Sequence, residues 1–130
     1  MAIMSKTILF IDDDQVLQAL VVHLLSKHLK DYTVLCASDT QQGLADARKH
    51  RPEVIVLDIM LQNENGWEAA EALKKNDETR HIPIIVASGA GSPFNGLPFI
   101  DPTLIAKYIR KPYNIDELVA ALRDTIDITG

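Results

Sequence analysis

The feature that most constrains this fold is a short apolar run that ends in one acid, Val54-Ile55-Val56-Leu57-Asp58. Three of its four apolar residues are β-branched, and Pro52 stands just before it. Such a run is typical of a strand buried on both faces, and strands of that kind belong to parallel sheets covered by helices. Asp58 would then lie at the carboxyl end of the strand, where open α/β sheets bind ligands. The alternative is a solvated acid that merely ends the strand.

Strands and helices are predicted to alternate along the rest of the chain. Apolar runs predict further strands at residues 7–11, 32–37, 84–87 and 107–110. Apolar residues at helical spacing predict helices at residues 16–29, 40–50, 67–74 and 115–126. This alternation with short connections predicts a three-layer, doubly wound parallel sheet of five strands. We expect one α/β domain over residues 1–130, with its core at about 6–128.

Two helix starts carry capping residues. Asp14 is the predicted N-cap of the first helix, because a carboxylate there accepts from free backbone N–H groups and suits the helix dipole. Asn114 is the predicted cap of the last helix, and Glu117 three residues later completes a capping box. The first helix is expected to pack through an apolar stripe made of Val16, Leu17, Leu20, Val21, Leu24, Leu25 and Leu29.

Residues 89–102 break the alternating pattern, since six of these fourteen residues are glycine or proline. Proline inside a helix costs about 3 kcal/mol. We therefore expect the helix of this region, the fourth in a regular alternation, to be short or absent. Four apolar side chains in the stretch either fill the groove left by that helix or form a mobile cover; they are Phe94, Leu97, Phe99 and Ile100.

Composition excludes several classes of protein. The formal net charge of −5 argues against direct nucleic-acid binding, which favours a basic face. The single cysteine, Cys36, rules out an internal disulfide or a cysteine cluster for zinc, and its apolar neighbours predict a buried, inert thiol. No apolar run reaches membrane-spanning length. We expect a cytoplasmic protein without membrane contact.

Five polar residues are predicted to lie at the carboxyl edge of the sheet, and they are Asp12, Asp13, Asp58, Ser88 and Lys111. Three neighbouring carboxylates repel one another, and a divalent cation removes that repulsion. Oxygen ligands select a hard ion, so Mg²⁺ is the expected metal, with Mn²⁺ as the alternative.

A metal ion beside a carboxylate, an amine and a hydroxyl suits phosphoryl transfer. The ion and Lys111 would neutralise the oxygens of the moving phosphoryl group, and Asp58 would be the nucleophile that forms an acyl phosphate. Ser88 would donate a hydrogen bond to a phosphoryl oxygen. Taken singly, Lys111 could be a structural ion-pair partner and Ser88 a turn residue. Their predicted occurrence on one edge favours the joint catalytic interpretation.

The set Asp12-Asp13, Asp58, Ser88 and Lys111-Pro112 resembles the receiver domain of two-component response regulators, over essentially the whole chain. The resemblance implies a flavodoxin-like strand order of 2-1-3-4-5. It also implies that Asp58 takes a phosphoryl group from a histidine kinase or a histidine phosphotransfer protein. Such a domain is a signalling phosphoacceptor, whose only catalysis is its own phosphorylation and dephosphorylation. It controls a partner or an output domain, which the sequence leaves unknown.

The resemblance also implies a set of metal ligands. Asp13 and Asp58 would bind Mg²⁺ directly and Asp12 through water, and the backbone carbonyl of Met60 would supply a further oxygen. Ser88 would be the switch hydroxyl, which is drawn to the phosphate when the domain changes conformation. Tyr108 would be either the switch aromatic or an ordinary packed side chain.

Two departures from the family pattern affect these expectations. Gln62 replaces the usual proline four residues after the phosphoacceptor, so the loop there is expected to be less rigid. The glycine- and proline-rich stretch puts the usual receiver dimer in doubt. The sequence leaves two rival functions, a pseudo-receiver that binds proteins without phosphorylation and an aspartate-nucleophile phosphohydrolase, for which 130 residues leave little room.

Overall fold

The computed structural model describes residues 6–59, 66–88, 105–111 and 113–126, with only the backbone described at Ser88. The strands are β1 (Lys6–Ile11), β2 (Tyr32–Ala37), β3 (Val54–Asp58), β4 (Ile84–Ser88) and β5 (Lys107–Arg110). The helices are α1 (Gln15–His28), α2 (Thr40–His50), α3 (Gly66–Lys75) and α4 (Ile115–Ile126). Residues 89–104, for which the sequence predicts a short or absent helix, lie outside the described residues, as do Met60, Gln62 and Pro112.

The five strands form one parallel sheet in the order β2-β1-β3-β4-β5. This order confirms the flavodoxin-like fold. In the register of the central strands, Ile11 lies beside Leu57, and Leu57 lies beside Val86. The strands therefore end almost level with one another. The last residue of β3 and the residues that follow β1 and β5 meet at one edge, as parallel topology requires.

Helices cover both faces of the sheet, which gives the three predicted layers. Helices α2 and α3 pack on one face, over Leu9, Ile55 and Ile84, and α1 and α4 pack on the other, over Ile8 and Val56. Every residue of β3 is buried, in agreement with its continuous apolar run. The central strand therefore belongs to two apolar cores at once and holds its terminal acid in a fixed place.

Helix α1 corrects the predicted apolar stripe. Val16 is 81% exposed and Leu20 is 52% exposed, whereas the polar Gln18 is 9% exposed. The face that meets the sheet contains Gln18, Val21 and Leu25. The physical reason is that apolar residues form two adjacent rows on this helix, and only the packing of α1 on the sheet decides which row is buried.

The predicted caps are present in the structure. The Leu17 N–H donates to Asp14 Oδ1 (3.0 Å), and the Glu117 N–H donates to Asn114 Oδ1 (2.8 Å). The capping box differs in one detail, because Glu117 Oε1 accepts from the side-chain amide of Asn114 (3.1 Å) instead of its backbone N–H.

The side chain of Cys36 is half-buried, which corrects the predicted buried thiol. Its strand, β2, lies at the edge of the sheet, so helices cover it less completely than they cover β3. Burial raises the pKa of the thiol, and the negative charge of Asp12 adds to that effect. Among the described residues, no helix combines the length and apolar character needed to cross a membrane.

Candidate functional site

Three acids from two strand ends come together at the carboxyl edge of the sheet. Asp12 and Asp13 follow β1, and Asp58 ends β3, its neighbour. Carboxylate oxygens of the three residues lie within 4.8 Å of one another. Asp12 and Asp58 are only 5% and 6% exposed, while Asp13 is half-buried. The acids are thus more enclosed than strand ends on a solvated edge would be.

Lys111, which follows β5, reaches across the end of the sheet to two of these acids. Its Nζ lies 2.6 Å from Asp12 Oδ2 and 3.1 Å from Asp58 Oδ2. The lysine side chain is 19% exposed, and the two acid side chains are less exposed still. Ion pairs that are shielded from water interact more strongly than those on the surface. The predicted cation therefore does lie beside the predicted nucleophile.

Burial and charge act against each other at this ion pair. Burial raises the pKa of Asp12, and the negative charge of Asp58 adds to that effect. Together they outweigh the charge of Lys111 and the hydrogen bonds from Lys111 and the Asp14 N–H, which favour the charged form. For Lys111, burial alone would lower the pKa, but the hydrogen bonds and charges of Asp12 and Asp58 together outweigh it and raise the pKa. One lysine compensates for three neighbouring acids only in part, which leaves room for a further cation.

The loop that carries Asp12 is held by several hydrogen bonds. The Asp12 N–H donates to the Ala37 carbonyl at the end of β2 (3.0 Å), and the Asp14 N–H donates to Asp12 Oδ1 (2.9 Å). The side-chain amide of Gln18 donates to the carbonyls of Asp12 and Ala37. Both carboxylate oxygens of Asp12 therefore already have a protein donor, one from Asp14 and one from Lys111.

Helix α3 begins directly against the end of β3. The Gly66 N–H donates to the Ile59 carbonyl (3.0 Å). A Cβ at Gly66 would lie 2.6 Å from the Asp58 carbonyl oxygen and 2.5 Å from Ile59 Cα. Such distances are too short for real contacts, so this close approach of backbone to backbone requires glycine. The next residue, Trp67, is buried in the core on the same face of the sheet.

The remaining predicted site residues are placed less completely. The backbone of Ser88 lies in β4 beside Arg110, one position further along the sheet edge than the Asp58–Ala87 pair, and its side chain lies outside the described residues. Met60, the predicted carbonyl ligand, lies outside them as well. Tyr108 is half-buried and packs against the core on the α2–α3 face.

Sequence reasoning missed two residues near the site. Gln18 was overlooked because it interrupts a row of apolar residues, although a polar residue one turn after an N-cap is well placed to reach strand ends. Tyr113, two residues after Lys111, packs against the core on the α1–α4 face. Burial raises its pKa to about 12, while the positive charge of Lys111 opposes that shift.

The donor set fits a hard divalent cation. Oxygen atoms from three carboxylates are grouped closely, and neither histidine nor cysteine belongs to the group. Such ligands favour Mg²⁺ or Mn²⁺ over zinc or copper. Because two of the acids are buried, a cation there would offset repulsion that water screens poorly.

Comparisons with known proteins agree with this arrangement. The chain matches the family model described as "Response regulator receiver domain" over residues 8–123. The phosphate regulon transcriptional regulatory protein PhoB of Pseudomonas aeruginosa is 34% identical over 126 residues, which cover 97% of this chain and 54% of PhoB. This chain thus spans about half the length of that relative.

Two solved structures share the fold. One is the receiver domain of sensor histidine kinase PA1611 from Pseudomonas aeruginosa, crystallised with a magnesium ion in its active-site cleft. It has a TM-score of 0.80 and 23% identity, and the match covers 95% of this chain and 99% of that one. The other is the BeF3-activated N-terminal receiver domain of Klebsiella pneumoniae RstA, with a TM-score of 0.79, 23% identity and coverage of 95% and 100%.

Proposed function

Because this chain belongs to the response regulator receiver domain family, we propose that Asp58 is the residue that accepts the phosphoryl group. The observation that carries the proposal is the contact of Asp58 Oδ2 with Lys111 Nζ (3.1 Å) beside two further acids. A lysine in that position is suited to neutralise charge on an incoming phosphoryl oxygen.

The reaction is a transfer between two nucleophiles. A carboxylate oxygen of Asp58 forms a bond to phosphorus, while the bond from phosphorus to a histidine nitrogen of the donor breaks. The electron pair of that bond stays with the imidazole, and the product on this chain is an acyl phosphate. Hydrolysis by water returns the carboxylate and releases inorganic phosphate. Both steps take place at residues of the receiver itself, which is the sense in which they are self-catalysed.

Mg²⁺ is the proposed metal, with Mn²⁺ as a substitute. Asp13 and Asp58 would bind it directly and Asp12 through water, which agrees with the engagement of both Asp12 oxygens by protein donors. The Met60 carbonyl would be the remaining protein ligand. The receiver domain of PA1611 was crystallised with magnesium in its cleft, which supports this assignment. When bound, the ion supplies positive charge to the oxygens of the phosphoryl group.

Ser88 and Tyr108 are the proposed switch residues. Ser88 lies on the strand next to Asp58, and Tyr108 lies on the strand beyond it. The half-buried position of the Tyr108 side chain supports the proposal, because a ring at the border of the core has both a packed and an open side available.

The proposed phosphodonor is a histidine kinase or a histidine phosphotransfer protein. The proposed location is the cytoplasm. We propose that residues 1–130 form one domain. The output domain or target is undefined, and PhoB, a transcriptional regulator, is nearly twice as long as the matched region. The lack of direct nucleic-acid binding therefore stays a prediction for these 130 residues alone.

The test is labelling with a radioactive small phosphodonor such as acetyl phosphate. We expect the wild-type chain to be labelled with Mg²⁺ and not with EDTA, and Asp58→Asn to remain unlabelled. Asp14→Asn is the matched control, because asparagine caps a helix as well as aspartate does. It should be labelled like the wild type.

Three outcomes would contradict the proposal. Labelling of Asp58→Asn would move the phosphorylated residue elsewhere. A folded wild-type chain that is never labelled would favour the pseudo-receiver function. Steady turnover of many phosphomonoesters would favour the phosphohydrolase.

A further inference from the structure

The buried amide of Gln18 has no part in the reaction proposed above. An amide taken out of water costs free energy unless it is hydrogen-bonded. This one uses both of its N–H groups, since Nε2 donates to the Asp12 carbonyl and to the Ala37 carbonyl (3.0 Å). Its orientation is unambiguous, because the amide oxygen in that place would face two carbonyl oxygens.

The bond to the Asp12 carbonyl fixes the peptide group that joins Asp12 to Asp13. The next peptide group, between Asp13 and Asp14, is fixed by the bond from the Asp14 N–H to Asp12 Oδ1 (2.9 Å). Peptide groups are planar, so the two that flank a residue determine where its side chain leaves the backbone. Both peptide groups that flank Asp13 are thus held, one by Gln18 and one by Asp12.

A second consequence of Gln18 is that it joins three elements. The amide belongs to α1, and its acceptors lie just after β1 and at the end of β2. Ala37 also accepts from the Asp12 N–H (3.0 Å). The start of α1 therefore cannot move relative to the two strand ends without breaking bonds at the residue that precedes Asp13.

We propose that Gln18 is a positioning residue for metal binding. It holds the Asp13 carboxylate toward Asp58 before the ion binds. The inference rests on the proposed function, in which Asp13 is a direct ligand. A ligand that is held in place loses less freedom on binding, so the gain is in metal affinity. Partners that orient metal ligands typically contribute 10–100-fold to that affinity.

The test uses the full chain and the variant Gln18→Met, which keeps the length of the side chain and removes both hydrogen bonds. We expect its dissociation constant for Mg²⁺, measured by calorimetry, to rise about tenfold. Labelling by acetyl phosphate should be slow at limiting Mg²⁺ and close to the wild-type rate at saturating Mg²⁺. A residue that only anchors α1 would change the melting temperature without this separation.

Two controls accompany the variant. Val21→Ala removes buried volume from the same helix without touching the acids, so it should lower the melting temperature and leave the Mg²⁺ affinity unchanged. Gln41→Leu removes an exposed amide on α2 and should change neither. In the wild type, NMR should show slower hydrogen exchange for the side-chain amide of Gln18 than for that of Gln41, a measurement that holds even if Gln18→Met does not fold.

The outcomes separate this inference from the proposed function. An unchanged Mg²⁺ affinity in Gln18→Met, an equal loss in Val21→Ala, or rapid exchange of the Gln18 amide would overturn the positioning role while Asp58 still accepted label. A wild-type chain that neither binds Mg²⁺ nor is labelled would overturn both.

Discussion

Removing Lys111 would distinguish its contribution to stability from its contribution to the proposed reaction. Its ammonium group lies between two acids that are almost fully buried. Removing one partner of such a pair leaves charge without compensation, which is the costly part of a buried ion pair. The cost should depend on whether another cation can take the place of the lysine.

We expect Lys111→Ala to fold but to be less stable than the wild type by roughly 2 kcal/mol in EDTA, because the lysine is partly exposed and the full cost of a buried pair does not apply. Mg²⁺ should restore much of this difference, since it compensates for the same acids. The link between phosphorylation and output should be weakened. Urea unfolding with EDTA and with Mg²⁺ measures the stability. A loss that is equal in both buffers would show that the lysine acts independently of the metal-binding acids.

Tyr113 gives a prediction about alkaline pH. Its pKa is raised to about 12 from an ordinary value of 10.0, so the native protein keeps the phenol proton to higher pH than the unfolded chain does. Unfolding therefore releases a proton in this range, and stability falls as the pH rises from 10 to 12.

From pH 10 to 12, we expect the free energy of unfolding of Tyr113→Phe to fall by roughly 2–3 kcal/mol less than that of the wild type, the equivalent of two pKa units. The decline in stability that is due to Lys111, whose pKa is also raised, should remain in the variant. Urea midpoints at several pH values between 9 and 12 would measure the difference. Parallel curves for variant and wild type would mean that the phenol is not desolvated in solution.

The residues that sequence reasoning found and missed differ in what identified them. Asp58 could be predicted because it ends a continuous apolar run, and Lys111 because it follows a short strand. Gln18 could not, since its role depends on two carbonyl groups 6 and 19 residues away. Sequence patterns indicate which side chains prefer burial, but not which backbone groups still need a donor.

At the scale of the elements, α3 depends on one glycine. A side chain at Gly66 would meet the backbone of Asp58 and Ile59, whereas one at Gly43 in α2 would meet only side-chain atoms of Ile11, the nearest at 2.5 Å. Backbone atoms at the end of β3 cannot move without moving the acid, but a side chain can change its rotamer. Alanine substitutions at the two glycines therefore make a matched test and control.

We expect Gly66→Ala to lower the free energy of unfolding by roughly 2 kcal/mol, in the range of overpacked cores, and to reduce the rate of Asp58 labelling. For Gly43→Ala, the gain of about 1 kcal/mol in helix propensity offsets most of the strain. Urea unfolding would measure the stability of both variants, and labelling would measure the reaction rate of Asp58. Equal effects on labelling would show that α3 does not set the position of the acid.

The orientation of α1 is the element-scale feature that could not be predicted. Its N-cap could be predicted at Asp14 and its length from the apolar spacing, yet both Val16 and Leu20 lie on the outer side. Two apolar rows a small rotation apart are equally good candidates for the buried face. The rotation is decided by contacts with β1 and β2, and these belong to the assembled sheet.

For the whole molecule, the proposed metal site would connect metal binding to stability. An ion that binds only the native state raises the free energy of unfolding, by about 2.7 kcal/mol at one hundred times its dissociation constant. We expect this stabilisation by Mg²⁺ in the wild type and little of it in Asp13→Asn. Sodium chloride at matched ionic strength is the control for general screening. A variant that gains as much as the wild type would exclude Asp13 as a ligand.

The order of the strands could be predicted only through a resemblance to a known family. Alternating strands and helices indicate a doubly wound sheet, but the same alternation is compatible with several strand orders. The order β2-β1-β3-β4-β5 places β3 next to β1, and this adjacency brings Asp58 to Asp12. Because helices cover both faces of β3, this strand belongs to both apolar cores.

The ion pair between Lys111 and Asp12 joins residues 99 positions apart. A nascent chain that has left the ribosome only as far as β4 already contains all three acids but lacks their lysine. Under the proposed function, we therefore expect the link between phosphorylation and output to arise late in synthesis, when the last strand has docked. A half-made copy would then lack the lysine through which the acids are expected to act on the output.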